Sequence, residues 1–177
     1  MTAPIRWPAE AVWEAVAPLL PGFTVEVLPS IDSTNTELMR RARAGQTEPT
    51  LLVAEQQTAG RGRLGRVWQS DVGASLMLSL GLPMAPRDWS GLSLAVGVSV
   101  AESLQPTLPP LEPGQPPRIG LKWPNDLWLS GDRKLGGILV ETASFVAPQA
   151  AQPATTHGTA ARYVVVGIGI NVLPRSG

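Results

Sequence analysis

The sequence contains no cysteine. That single absence removes a disulfide framework, a thiolate metal site and a cysteine nucleophile. It also lacks any excess of charge, with 14 Lys and Arg against 14 Asp and Glu, which speaks against the broad cationic footprint of a duplex nucleic-acid binder. No stretch reaches the roughly 18 unbroken apolar residues that a membrane span requires. Met1–Leu20 lacks a charged segment followed by an apolar run, so no signal peptide is read and the expected compartment is the cytoplasm. Lysine is nearly absent as well: Lys122 and Lys134 are the only two, twelve positions apart in one segment. The single histidine, His157, sits in an Ala/Pro/Thr tract and reads as solvated.

What is present fits a globular domain. The 177 residues are 44% hydrophobic and 16% charged, enough for one domain with a genuine core. Ala9–Leu20 carries Val12, Trp13, Val16, Leu19 and Leu20 on one stripe, predicting an amphipathic helix after Pro8. Phe23–Leu28 alternates as a strand. A second helix is expected to open in the Ser30–Glu37 segment, with Thr34 and Glu37 spaced as a capping box, and to stop at Gly45. Thr50–Glu55 reads as a buried strand. Ala74–Leu82 is a strand with Ala74 and Leu76, Leu78, Leu80 and Leu82 on one face.

Trp89–Leu104 has helical spacing, and the proline-rich 105–117 stretch is a loop. Ile119–Leu129 and Lys134–Glu141 form a hairpin around Ser130–Arg133. Ala143–Ala161 is a low-complexity insertion, and Arg162–Val172 a last strand with Gly167 and Gly169 on the same face. This order predicts a single α+β domain over 1–177, with a mixed, largely antiparallel sheet flanked by helices.

Four segments carry chemistry. In Gln57–Arg66, Gly60, Gly62 and Gly65 alternate with Arg61, Arg63 and Arg66. Glycines there permit positive φ or close backbone approach, and guanidinium forks suit a ligand with several anionic oxygens. Trp68 could offer a flat face to a purine. A flexible basic loop on nucleic-acid phosphates is the competing reading. No Walker A string occurs. Gly60–Gly65 satisfies G-x-G-x-x-G, but a strand rather than a helix follows, so a Rossmann turn is rejected. In Lys122-Trp-Pro-Asn-Asp126, Pro124 makes a regular strand centre improbable. Asp126, with help from Asn125, could hold Mg²⁺, and Lys134 could meet a carboxylate and an α-phosphate. Solvated lysines on an edge strand are the plain alternative. Ser33-Thr34-Asn35 could cap the helix or bind a neutral polar head group. Gly167-Ile-Gly-Ile-Asn171 could thin a strand beside a ligand and turn Asn171 to a nucleotide.

Taken together and in order, Ser33-Thr-Asn35, Glu55–Arg66, Lys122–Leu127, Lys134–Glu141 and Gly167–Asn171 resemble the catalytic domain of biotin protein ligases, biotin–[acetyl-CoA-carboxylase] ligases. The resemblance implies a core like that of class II aminoacyl-tRNA synthetases. It implies formation of biotinyl-5′-AMP from biotin and ATP, with Mg²⁺, and transfer of biotin to a lysine of a biotin carboxyl carrier protein or domain. By the same likeness Ser33, Thr34, Asn35 and Gln57 would hold biotin, joined by the backbone at Gly60 and Arg61. Arg61, Arg63, Arg66 and Lys134 would manage the biotin carboxylate and the ATP phosphates, with Lys134, Arg63 and Arg66 in catalytic roles. Trp68 and Asn171 would hold adenine, Asn125 would serve the nucleotide, and Asp126 the metal.

Some members carry an N-terminal winged-helix DNA-binding domain, and most a small C-terminal domain. The chain is expected to lack both, so no DNA partner is expected. Self-association as a homodimer is left open. The alternatives are a lipoate or octanoate ligase, and a truncated domain that holds biotin without turning it over.

Overall fold

A computed structural model describes residues 5–144 and 161–173. Its elements are α1 (Ala9–Val16), β1 (Thr24–Leu28), α2 (Thr34–Arg43), β2 (Thr50–Ala54), β3 (Ser75–Met84), α3 (Leu92–Leu104), β4 (Ile119–Lys122), β5 (Asp126–Leu129), β6 (Arg133–Ser144) and β7 (Arg162–Asn171). The strands form one seven-stranded sheet in the order β1-β2-β3-β7-β6-β5-β4. Only β1 and β2 run parallel; the other neighbours are antiparallel. The expected mixed, largely antiparallel sheet with flanking helices is therefore what forms. Most of the predicted insertion, with His157, lies outside the described residues. Its first two positions, Ala143 and Ser144, instead extend β6.

The core divides between the two faces of the sheet because successive residues of a strand point to opposite sides. On one face α2 sets Leu38, Met39 and Ala42 against Leu52, Tyr163 and Val165. On the other, Ile138, Val164 and Val166 meet Leu92 and Val96 of α3. Leu38, Leu52, Val164 and Val165 are each 0% exposed, so truncating either leucine to alanine should cost about 2–5 kcal/mol.

Several details depart from the sequence reading. The first helix ends at Val16, and Leu19 beyond it is exposed; turns fill the stretch before β1. Ser33 rather than Thr34 caps α2, accepting from the Thr36 N–H at 3.3 Å. Glu37, freed from a capping box, binds Arg40 and Arg41. The Leu76–Leu82 face of β3 is only half-buried, whereas Met77, Ser79 and Gly81 form its most buried row. Small residues stand there because α2 and Tyr163 come so close: a Cβ on Gly81 would lie 2.2 Å from the Tyr163 hydroxyl. Finally, 119–129 is two short strands paired with each other, not one. The cis Trp123–Pro124 bond lies in the turn between them. No helix among the described residues is long and apolar enough to cross a membrane.

Arg41 clamps α2 to β1 through two hydrogen bonds to Glu26, at 2.6 and 2.9 Å. That guanidinium holds the Glu26 carboxyl below its ordinary 4.5. A lowered folded-state pKa stabilises the fold above the unfolded value, and the gain disappears as pH falls through the folded one. Thermal melts should therefore place Glu26→Gln below the wild type at pH 7. That gap should close progressively below about pH 4.5; a gap independent of pH would reject the ion pair as its source.

Candidate active site

A cleft of about 680 Å³ opens between the start of α2, the Gly/Arg loop and the β4–β5 turn, over β6 and β7. Each of these pieces is held by identifiable bonds.

The Gly/Arg loop is a closed hairpin rather than a free basic strand. Arg61 and Val67 pair across it, with Gly62 N–H donating to the Arg66 carbonyl at 2.7 Å and Trp68 N–H to the Gly60 carbonyl at 2.9 Å. Its tip turns through Leu64 (φ 56°) and Gly65 (φ 72°). The three glycines, predicted as one class, have different reasons to be there. Gly65 supplies positive φ. At Gly60 a Cβ would sit 2.5 Å from the Trp68 carbonyl oxygen and 3.0 Å from Gln57 Nε2. Gly62 is extended, and a Cβ there would meet nothing nearer than 3.5 Å.

Arg61 folds back onto the body of the domain. Its guanidinium donates to both Glu141 oxygens at 2.9 and 3.1 Å and to Thr36 Oγ1 at 3.1 Å. That leaves the loop's main chain near residue 61, rather than this side chain, free to meet a ligand. Arg63 reaches Asn125 Oδ1 at 3.4 Å. Arg66 also lines the cleft and is exposed.

The β4–β5 turn is fixed from two sides. Asn125 exchanges bonds with Ile138 of β6, Nδ2 donating to its carbonyl at 2.8 Å and the Asn125 carbonyl accepting from its N–H at 2.9 Å. Ser93 of α3 donates to the Pro124 carbonyl at 3.1 Å. This exposes the Trp123 ring, which is 79% accessible. It also sets Asp126 Oδ1 2.9 Å from Lys134 Nζ, while Lys122 lies 4.0 Å above the Trp128 ring.

The third wall is polar and buried. Ser33, Thr34 and Asn35 are 3%, 3% and 4% exposed. Gln57 Oε1 accepts from the Thr34 N–H at 2.8 Å. Asn35 reaches across to β6, donating to the Leu139 carbonyl at 3.2 Å and to Glu141 at 3.0 Å. It fits only because residue 167 is glycine: a Cβ there would stand 2.1 Å from Asn35 Oδ1. Gly169 likewise leaves room for Trp68, whose ring would lie 2.6 Å from an added Cβ. Among the described residues the Trp68 indole Nε1 has no hydrogen-bond partner.

The cleft thus brings together Ser33, Thr34, Asn35, Gln57, Arg61 and Arg63. Arg66, Trp68, Asn125, Asp126 and Lys134 share its lining. Gly60 and Asn171 are not in that lining; Asn171 instead donates to the Lys134 carbonyl at 3.3 Å. Two residues had no role assigned from sequence. Glu141 binds both Asn35 and Arg61, and Ser79, 0% exposed, bonds to Thr34 and Asn35. Ser79 did leave a signal, as a polar residue inside an apolar strand.

The chain belongs to the biotin/lipoate A/B protein ligase family. The family model matches residues 27–152. Among curated relatives, the biotin–[acetyl-CoA-carboxylase] ligase of Mycobacterium tuberculosis is 39% identical over 154 residues, 84% of this chain and 49% of that one. The bifunctional ligase/repressor BirA of Escherichia coli is 41% identical over 158 residues, 88% of this chain and 43% of that one. The biotin protein ligase of Aquifex aeolicus, solved with biotin and ATP, superposes with a TM-score of 0.58 at 31% identity, covering 86% of this chain and 54% of that one. The Leishmania major enzyme, solved with biotinyl-5-AMP, gives 0.60 at 26% identity, covering 85% and 59%. The chain therefore spans about half the length of the relatives it matches.

The glycine contacts yield a paired test. Gly167→Ala must displace Asn35 and orphan its buried amide, and denaturant unfolding should show a loss of about 2–4 kcal/mol. Gly62→Ala should stay within about 0.5 kcal/mol of wild type. Equal effects would mean that the close fit at Gly167 does not govern the wall.

Proposed function

We propose that the chain condenses biotin with ATP to give biotinyl-5′-AMP and pyrophosphate, then passes the biotinyl group to a lysine of a biotin carboxyl carrier domain. The observation that carries this reading is the union, in one cleft, of a buried neutral hydrogen-bonding wall with arginines and a lysine. The first suits an uncharged polar head group, the second a carboxylate meeting a triphosphate.

Adenylation brings anion to anion. Two unit charges 4 Å apart repel by about 4 kcal/mol at an effective dielectric constant near 20, before the charge that builds on departing pyrophosphate. Arg63, Arg66 and Lys134 are cations around the cleft that oppose both. Lys134, on the strand that floors the cleft, holds the biotin carboxylate against the α-phosphate. The two reactants are then held in line, and such positioning contributes roughly 7–11 kcal/mol. Trp68 offers its ring on the adenine side, and Asn171 steadies that side by holding the Lys134 backbone.

Among the described residues no group of three His, Asp or Glu could cage a metal. A lone Asp126 nevertheless fits Mg²⁺, which commonly takes one or two carboxylates and completes its shell from phosphates and water. Asp126 would hold the ion with Asn125 beside it, and the ion would add positive charge at the phosphates. In the second step the carrier's lysine amine attacks the acyl carbon, forming the amide and releasing AMP. The Gly/Arg hairpin shields the mixed anhydride from water until then.

Biotin-dependent ATP–pyrophosphate exchange, with lipoate and octanoate in parallel, tests the first half-reaction without a carrier. Exchange with biotin alone is expected. Exchange with lipoate or octanoate instead would move the chain to the lipoate branch of the family, and biotin binding without exchange would make it a binding domain. Lys134→Ala should lower the exchange rate at least about 100-fold with an unchanged melt, since it removes a charge used in the transition state. Arg63→Ala should speed escape of biotinyl-5′-AMP, seen as adenylate in the filtrate of a rapid spin column. Retention equal to wild type would exclude Arg63 from that role.

A further inference from the structure

We infer that Ser79, a buried residue outside the cleft lining, is a positioning residue. It decides which atoms of the head-group wall accept and which donate. The inference rests on the biotin reading of the cleft and adds to it a fixed direction of hydrogen bonding.

The argument starts from atoms that can only accept. Asn35 Nδ2 donates to the Leu139 carbonyl and to the Glu141 carboxylate. This fixes which end of the Asn35 amide is nitrogen, so Oδ1 is the atom 2.6 Å from Ser79 Oγ. An amide oxygen has no proton, so the Ser79 hydroxyl donates to it. With its one proton committed, Ser79 Oγ can only accept from Thr34 Oγ1, at 2.7 Å. On the other side, Gln57 Oε1 is fixed as oxygen because it accepts from the Thr34 N–H at 2.8 Å. It stands 3.0 Å from Thr34 Oγ1.

Three oxygen–oxygen contacts thus share two hydroxyl protons. The longest of the three, Thr34 to Gln57, is the one left without a proton. The wall therefore presents two adjacent lone-pair atoms, Thr34 Oγ1 and Gln57 Oε1, with nothing between them. Crowded acceptors in this state select a ligand N–H, because a ligand without one leaves the outward lone pair of buried Thr34 Oγ1 unanswered and its contact with Gln57 Oε1 unrelieved. The nitrogen of Gln57 is the complementary donor beside them. A ring in which an N–H adjoins a carbonyl, as in a cyclic urea, answers both.

Ser79 produces this by drawing the Thr34 proton inward. Without its hydroxyl, Thr34 is free to turn its proton to Gln57 and cancel the acceptor pair. A merely structural serine would change affinity for every ligand alike. A polarity-setting serine changes discrimination between ligands that differ in one N–H.

The experiment is calorimetric titration of wild type and Ser79→Ala with biotin and with its two cyclic-carbamate analogues, in each of which one ureido N–H is replaced by a ring oxygen. Wild type should reject one of the analogues by about ten- to a hundredfold relative to biotin. In Ser79→Ala that ratio should fall to about threefold or less, with the KM for ATP unchanged. A ratio as large as in wild type, in a variant that binds biotin, would overturn the role of Ser79. Wild type without measurable affinity for biotin would overturn the biotin reading, and this inference with it. Should Ser79→Ala fail to fold, Ser79→Cys keeps the volume and offers a weaker donor. Its ratio should lie clearly below that of wild type, and an unchanged ratio would again reject the assignment.

Discussion

The cleft depends on one buried side chain, Asn35, crossing from helix α2 to strand β6. It is 4% exposed and bonds to Leu139, Glu141 and Ser79. Burying an amide without partners would cost several kcal/mol, so the position is tolerable only because every polar atom of the side chain is answered. The space for it comes from Gly167, directly beneath. The bonds tie the first turn of α2 to the floor of the sheet, and with it Ser33 and Thr34. The apolar half of the same helix, through Leu38 and Ala42, supplies the burial that holds this turn in place. Packing energy and polar geometry are thus divided between two halves of one ten-residue helix.

Glu141 extends the arrangement outward. Its carboxylate receives Asn35 on one side and Arg61 on the other, so the rigid wall and the Gly/Arg hairpin share an anchor. A carboxylate serving two donors is a stronger tie than a surface ion pair, which contributes at most about 1 kcal/mol. The hairpin's register follows from its own backbone bonds. Its attachment to the domain follows from Glu141 and Thr36. The arginines beyond, Arg63 and Arg66, are then carried on a stiff support.

The architecture was readable where residue spacing reports burial directly. The α2 boundaries, the strand with Gly167 and Gly169 on one face, and the antiparallel order all follow from periodicity and turn residues. The reading failed where close approach replaced hydrophobicity as the local rule. In β3 the leucines marked a half-buried face, while the most buried row was Met77, Ser79 and Gly81, where Ser79 and Gly81 are small because α2 and Tyr163 lie so close. Lys122–Asp126 was recognised as irregular because of Pro124, but a four-residue strand on either side of a tight turn leaves no period to count. The partners of the site residues were legible only as motif members. Asn35, Glu141 and Gly167 are 106 and 132 positions apart at most from the first of them, and no local pattern encodes a contact at that range.

The cations of the cleft are not equivalent, and their present partners show why. Arg61 makes three hydrogen bonds, two of them to one carboxylate, and to leave them would strand Glu141 beside Asn35. Among the described residues Lys134 makes one ion pair, with Asp126 at 2.9 Å, and both side chains retain solvent contact, 41% and 24%. Among the same residues Arg63 has a single long bond, to a neutral amide. An incoming polyanion gives Lys134 and Arg63 more than it takes, because each exchanges one weak partner for several charged oxygens. The same exchange would give Arg61 little and would loosen the wall behind it. Holding one arginine by its side chain while leaving its neighbours lightly paired lets a short glycine-rich segment be both a fixed boundary of the polar wall and a movable source of positive charge.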